Sequence, residues 1–533
     1  MKRILVFSFL FLRIFLQLNA QTAPAAPDTN RIVNILNADR YGYRRVDSVT
    51  EFQTMAGNVR LKQDNTLFYA DSAILNKYTK IVEAFGNIHI NDNDSVHTYS
   101  DYLLYHVDTK IAILKQNVRL TDNKSNLYTN ELEYDLNQKI GIYRNGGRVV
   151  NESSVLTSRE ATYYADLKDV YFKGNVILKD PQYDLRSDSL LYNTTSEIAT
   201  FISKTIIEDS VRKIVTTDGY YDLKNKNAFF GQRPTIKDGP VTIIANEVET
   251  DDITGISRLR GNAVFKDTAQ GIAVLANFIT SNKKESSFFA TQKPLLIIKQ
   301  ENDSIFIAAD TLFSGRLSLM KNPLDSAQKD TLQNITVVDA QDNDSTDRYF
   351  QAYSHVRIFS DSLQAVSDSL FYSGKDSIFQ LFKDPIVWSN DNQVTGDTIY
   401  LYTKNKKADR LFVFENGLLI NKTGINMYNQ VRGTRINGYF TDGNIDYLRA
   451  RGNAESIYYV KDDENYLVGV NKATGDIIDM RFKDKELYRV VFISDVQGTM
   501  YPVSQLPESD RTLRNFQWHE ERRPKSKFEL FGN

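Results

Sequence analysis

The stretch GNVRLKQDNTLFYADSAILNKYTKIVEAF (57–85) is followed without a gap by GNIHINDNDSVHTYSDYLLYHVDTKIAIL (86–114), and the second repeats the outline of the first. Each opens on a short alternating run, Val59-Arg60-Leu61-Lys62 and Ile88-His89-Ile90-Asn91. Period two places one apolar and one wet face on a strand. A polar turn follows, then an Asp with hydroxyl and aromatic neighbours (Asp71-Ser72, Asp101-Tyr102), and then a short apolar closing run (Ile81-Val82, Ile111 to Leu114). The outline recurs at Val118-Arg119-Leu120, Val176-Ile177-Leu178 and Val356-Arg357-Ile358, and the Asp returns at 188, 218, 310, 368 and 397.

The register is nearly constant. Asn58 to Asn87 is 29 positions, Asn87 to Asn117 is 30, Asp188 to Asp218 is 30 and Asp368 to Asp397 is 29. A period in this range marks an array whose units are too small to bury their own apolar faces and must stack on their neighbours. The expected fold class is therefore all-β, an elongated open solenoid of about thirty-residue repeats.

Composition agrees. The 533 residues are 41% hydrophobic and 25% charged, with 30 Tyr, 30 Phe and only 11 Pro, which suits strands. A net charge of −2 argues against nucleic acid as a partner. Cysteine is absent, which removes disulfides, zinc fingers and a thiol nucleophile from consideration.

Residues 1–20 carry Lys2 and Arg3 before an apolar run broken by Arg13, and read as a secretory signal peptide. Residues 21–32 read as a flexible leader. Repeats are expected over 33–315 as one stack and over 349–493 as a second. The polar, out-of-phase segment 316–348 reads as a loop or joint, and 494–533, where the pattern is lost, as a cap or arm.

No nucleophile elbow, P-loop, dinucleotide fingerprint or H-E-x-x-H motif occurs, so no enzyme activity, cofactor or metal is expected. The five histidines, His89, His97, His106, His355 and His519, are scattered; the first three share one neighbourhood of sequence but lack ligand-like spacing with a carboxylate and read as solvated strand residues. An Asp in nearly every repeat points to a structural hydrogen bond across a turn.

The recurring G-N-V-x-L, the Tyr/Asp-bearing middle and the short closing strand resemble the OstA/LptA-like family, the organic-solvent-tolerance domain of lipopolysaccharide export. The resemblance spans roughly 33–493 and is strongest over 57–218. The length, the many repeats and the ending YPVSQLPE (501–508) are similar to the long OstA-like proteins of Bacteroidota. The resemblance implies an open β-jellyroll of V-shaped section in the periplasm, associated with outer-membrane assembly, whose apolar inside shields acyl chains. It implies as partners lipopolysaccharide or another acylated lipid, other transport proteins joined through edge strands, and copies of the chain stacked end to end. The expected docking ends are 33–46 and 487–493.

On the residues alone, the groove candidates are Val59, Leu61, Ile88, Ile90, Val118, Leu120, Val176, Leu178, Val356 and Ile358. The plainer reading of each is that it closes a dry core. Two other architectures fit less well. An outer-membrane β-barrel wants an apolar outer band where these strands carry Lys, Asp and Asn, and a polysaccharide-acting β-helix wants a shorter coil and a local acidic cluster.

Overall fold

The computed structural model describes residues 33–531 except 93, 95, 123, 124, 152, 300–303, 321–344, 405, 406, 442, 443, 463, 465, 484 and 485. The expected signal peptide, the leader and most of the polar segment 316–348 lie outside the described residues. What is described is all-β: antiparallel strands joined by turns, with a few single-turn 3-10 segments. The chain divides into two compact units at Glu152/Ser153.

Unit 1 contains ten strands: β1 (Asn34–Asn37), β2 (Arg40–Arg45), β3 (Glu51–Gln63), β4 (Thr66–Asn76), β5 (Ile81–Asp92), β6 (Val96–His106), β7 (Ile111–Thr121), β8 (Ser125–Asp135), β9 (Ile140–Tyr143) and β10 (Gly147–Asn151). The closing run of one repeat and the opening run of the next are a single strand, which the sequence reading had kept apart. β5, for example, carries both Ile81-Val82 and Ile88-His89-Ile90.

Each long strand bends where the two runs meet. Ala56 pairs with Ser72 and Val59 with Ala70, so Gly57 and Asn58 together face the single residue Asp71. Such a two-against-one mismatch is a β-bulge. Both bulge residues take positive φ, 77° and 47° here and 73° and 46° at Gly86-Asn87. Asn tolerates that region better than most side chains and glycine adopts it freely, although Gln116 and Glu415 take the first place at other corners with φ of 66° and 54°. A Cβ on Gly86 would lie 2.4 Å from Asp71 Oδ2.

The recurrent Asp has its role at this corner. Asn87 Nδ2 donates to Asp71 Oδ2 at 2.8 Å, Asn117 Nδ2 to Asp101 Oδ2 at 2.6 Å and Asn416 Nδ2 to Asp397 at 3.1 Å. In other copies the partner changes: His355 lies 2.9 Å from Asp310, and Lys383 is 3.2 Å from Asp368. Asp188 faces the Gly174-Asn175 corner in the same way. The bond crosses between neighbouring strands at a bend in mid-strand, whereas the sequence reading expected it across a turn.

The corners divide each unit into two half-sheets. In unit 1, sheet 1 carries Ile35–Leu61–Phe68–Ile90–Thr98–Leu120–Leu127–Val149 as directly paired neighbours. Sheet 2 carries Met55–Ala73–Ala84–Leu103–Leu114–Leu132. Cross-strand pairs of this kind stabilise a sheet by about 0.2–1 kcal/mol each. The sheets face each other, with the Phe68 and Tyr105 ring centroids 4.8 Å apart across the interior.

Unit 2 repeats the plan over more strands. Its sheet 2 carries a ladder that includes Ala161, Phe172, Leu190, Phe201, Gly219, Phe230, Val248, Leu259 and Ile279. Gly219, at φ +128°, is the one break in side chains, because a Cβ there would sit 2.1 Å from the Phe229 carbonyl oxygen. The strand Thr311–Arg316 pairs directly with Arg348–Phe359, so the ladder runs past the polar segment 316–348.

The chain after Tyr501 leaves the ladder and crosses the outer face of sheet 1 in unit 2. Leu506 and Leu513 pack on Leu418, Ile420, Ile457 and Val470. Gln430 grips the backbone twice, donating to Arg511 O at 2.9 Å and accepting from Leu513 N at 2.8 Å. Gln393 does the same with Gln517 O and His519 N, and Arg357 Nη1 donates to Glu529 O.

Candidate functional site

The sequence-derived groove residues come together on sheet 1, each within its own unit. Leu61, Ile90 and Leu120 lie on one cross-strand ladder of unit 1, while Val59, Ile88 and Val118 lie two residues nearer the corner on the same face. Leu178 and Ile358 lie on the corresponding ladder of unit 2, which runs Leu178–Leu185–Ile207–Ile214–Ile236–Ile243–Phe265–Val274–Leu296–Ile307–Ile358. Val176 and Val356 follow their corners in the same fashion.

In unit 1 these side chains face sheet 2 and are almost wholly buried, Leu120 being the most exposed at 6%. The space left between Val59, Leu61 and Phe68 on one side and Val82, Leu103 and Tyr105 on the other has room for about one water. An acyl chain fits there only if the sheets part.

Polar residues close the margin of this interior. The Tyr105 hydroxyl donates to Gln63 Oε1, and Gln63 Nε2 donates to Val107 O at 3.3 Å. Burial pushes the Tyr105 phenol well above its ordinary range, with Asp64 and Asp92 adding to the effect, so it stays a donor. Thr66 Oγ1 donates to Asp92 Oδ1 at 3.0 Å, and the Tyr134 hydroxyl reaches Asp92 Oδ2 at 3.5 Å. Outside them Lys110 Nζ stands 2.6 Å from Asp64 Oδ2.

Unit 2 is less closed in places: Leu178, Ile207, Ile243 and Phe265 on the ladder are half-buried, while Leu185, Ile214, Ile236, Val274, Leu296, Ile307 and Ile358 are buried. At the positions on sheet 2 that correspond to Tyr105 and Tyr134, unit 2 holds Tyr163, Tyr192 and Tyr221 in its first strands, then Thr250, Ser257 and Ser281, which pair in sequence across three strands, and then Phe288. Phe265 reaches across to Phe288, centroids 6.3 Å apart. Lys283 Nζ meets Asp238 Oδ2 at 2.8 Å from the opposite margin.

The outer face of sheet 1 in unit 1 holds a feature that the linear sequence conceals. Arg60, Tyr69, His89, Tyr99 and Arg119 are successive cross-strand neighbours. His89 stacks on Tyr99 at 4.6 Å, Arg119 lies 4.3 Å above the Tyr99 ring, and His89 Nε2 is 3.1 Å from His97 Nδ1. Burial, His97 and Arg119 all lower the His89 pKa. The two histidines, eight positions apart, meet because β5 and β6 form a hairpin; even so, no group of three or more metal-ligating side chains forms among the described residues.

Comparison with known proteins bears on the first third of the chain. Residues 30–188 match the model of the OstA-like protein family. No curated protein matches the chain. Among solved structures it is similar to LptH from Pseudomonas aeruginosa, described as the LptA homologous periplasmic component of the conserved lipopolysaccharide transport device. The identity is 14% and the TM-score 0.21, over 26% of this chain and 95% of that one.

Proposed function

We propose that this chain is a periplasmic scaffold of lipopolysaccharide transport and outer-membrane assembly, which takes the acyl chains of lipopolysaccharide or another acylated lipid between its paired half-sheets. The observation that carries the reading is the apolar ladder on the inner face of sheet 1, interrupted in unit 1 at Thr98 and opposed by a second apolar ladder on sheet 2. Each methylene moved from water into such a space is worth about 0.8 kcal/mol, so even a partly covered acyl chain gains several. The match to the OstA-like family supports the transport setting. The residues that would touch the lipid are Leu61, Ile90 and Leu120 in unit 1 and Leu178 and Ile358 in unit 2, with Val59, Ile88, Val118, Val176 and Val356 beside the corners.

Partners of the same pathway would join at the terminal strands. β1 and β2 pair with β3, and Glu486–Ile493 and Gln497–Tyr501 pair with Leu467–Lys483. These edges expose Leu36, Tyr41, Tyr43, Tyr488 and Met500, a surface suited to strand addition by another transport protein or a second copy. The test is a photo-crosslinking residue at Leu61, Leu120 or Leu178 in cells carrying labelled lipopolysaccharide. Adducts at these positions and none at the outward-facing Arg60 and Arg119 are expected. Equal labelling of inner and outer positions would refute the reading.

A further inference from the structure

The margin where the two sheets of unit 1 meet is charged in a pattern. Turns of sheet 1 contribute Asp64, Asp94 and Asp122, while those of sheet 2 contribute Lys77, Lys80, Lys110 and Lys139. The carboxylates on the sheet 2 side are engaged locally: Asp108 meets Lys80 at 3.0 Å, and Asp135 accepts the backbone N–H groups of Asn137 and Gln138. Lys110 reaches across the margin. Its side chain is 17% exposed against 45% for Lys80, and it sits directly outside the Gln63–Tyr105 contact. The contact recurs in unit 2, where Lys283 and Asp238 are separated by 45 residues, against 46 for Lys110 and Asp64.

A lysine and a carboxylate at a wet margin gain little from each other, so another anion of similar charge can replace the carboxylate at small cost. The interior behind them is too full to admit a chain unless this margin parts. We propose that the margin of unit 1 is a gate, and that Asp64 holds on Lys110 the place taken by the anionic headgroup of an acylated lipid as its chains enter between the sheets. Asp64 is thus a built-in stand-in for the ligand. The proposal rests on the lipid-binding reading above.

The absence of cysteine makes the gate testable in the full chain. Asn65 and Thr109 are exposed on the facing turns, and an Asn65→Cys/Thr109→Cys pair bridged by a reducible bis-thiosulfonate reagent leaves Asp64 and Lys110 in place. A photo-crosslinking residue at Leu61 reports entry of radiolabelled phosphatidic acid or of diacylglycerol with the same chains. Bridging is expected to reduce adducts from both probes at least tenfold, and reduction of the bridge to restore them. Lys110→Gln is expected to weaken phosphatidic acid labelling at least tenfold and leave diacylglycerol unchanged, whereas Asp64→Asn strengthens phosphatidic acid labelling. Undiminished labelling of the bridged protein, or equal loss of both probes in Lys110→Gln, would overturn the gate while lipid binding stands. Failure of the unbridged protein to label with either probe overturns both readings.

Discussion

Units 1 and 2 are built on one plan and close differently. In unit 1 the margin of sheet 2 carries Tyr105 and Tyr134, which reach Gln63 and Asp92 on the facing sheet, and the interior is sealed. In unit 2 the same positions hold Tyr163, Tyr192 and Tyr221 and then, over one stretch, Thr250, Ser257 and Ser281, where Ile243 and Phe265 on sheet 1 are half-buried. The corner and the deep ladder are common to both, so between Glu247 and Asn282 it is the small side chains at the margin that distinguish unit 2 from unit 1. A solenoid can therefore vary its openness along its length by exchanging a few margin residues while its pairing register is kept.

The largest test of this contrast sets the deep ladder against the margin within unit 2. Phe230→Ala, in the sealed part, is expected to cost about 3–5 kcal/mol, and Phe265→Ala, in the open part, about 1–2 kcal/mol because less area leaves water there. Both tryptophans, Trp388 and Trp518, lie in unit 2, so their fluorescence in a urea titration reads this unit alone. Equal losses would show that the open stretch is as tightly packed as the core. In unit 1, Tyr105→Phe leaves Gln63 Oε1 without this donor and is expected to cost about 1–3 kcal/mol, measured by far-ultraviolet circular dichroism in urea. The converse change, Ser257→Leu in unit 2, fills the margin and should lower hydroxyl-radical oxidation of Phe265 at least twofold.

A smaller effect is expected at the outer face of sheet 2. Arg449 holds Asp479 bidentately, both contacts at 2.6 Å, and the Tyr447 hydroxyl adds a third at 2.8 Å. The hydrogen bonds from Arg449 place the Asp479 pKa below the ordinary carboxylate range. The unfolded chain therefore takes up this proton more readily than the folded one, and the contribution is complete above the usual Asp pKa of about 3.9 and is lost as pH falls through the lowered value. Asp479→Asn should be less stable than the parent by about 1 kcal/mol at neutral pH, and the gap should close below about pH 4. A gap that persists at pH 2 would show that packing, and not charge, is responsible. The smallest effect belongs to Lys283→Ala, whose ion pair is largely in water: a loss of about 0–1 kcal/mol, falling with added salt, is expected.

Much of this was legible because strands with one buried face write their geometry in period two. Val59-x-Leu61, Ile88-x-Ile90 and Val118-x-Leu120 announced an inner face, and the thirty-residue spacing announced that copies would stack. The bend was not legible. Gly-Asn is common in turns, and nothing local says that a strand resumes two residues later in the same ladder; the Asp that fixes the corner sits on the neighbouring strand, sixteen positions away in sequence. Nor was the closure of the interior. Gln63 and Tyr105, and likewise Asp92 and Tyr134, lie 42 positions apart and meet only when the fold sets the two sheets against each other. The segment after Tyr501 carried no period because it is held by glutamine side chains and apolar contacts and not by a ladder.

That last segment has a consequence for assembly. Leu506, Leu513 and the backbone around Gln517 complete the cover over strands that were synthesised up to 124 residues earlier. Chains are synthesised from the amino end, and domains fold in the same order. Unit 1 can finish its pairing while later residues are still being made, whereas the outer side of unit 2 keeps a greasy flank bare until residues 502–531 arrive to wrap it. The interval between the two is when this molecule is most open to a chaperone, and most exposed to aggregation without one.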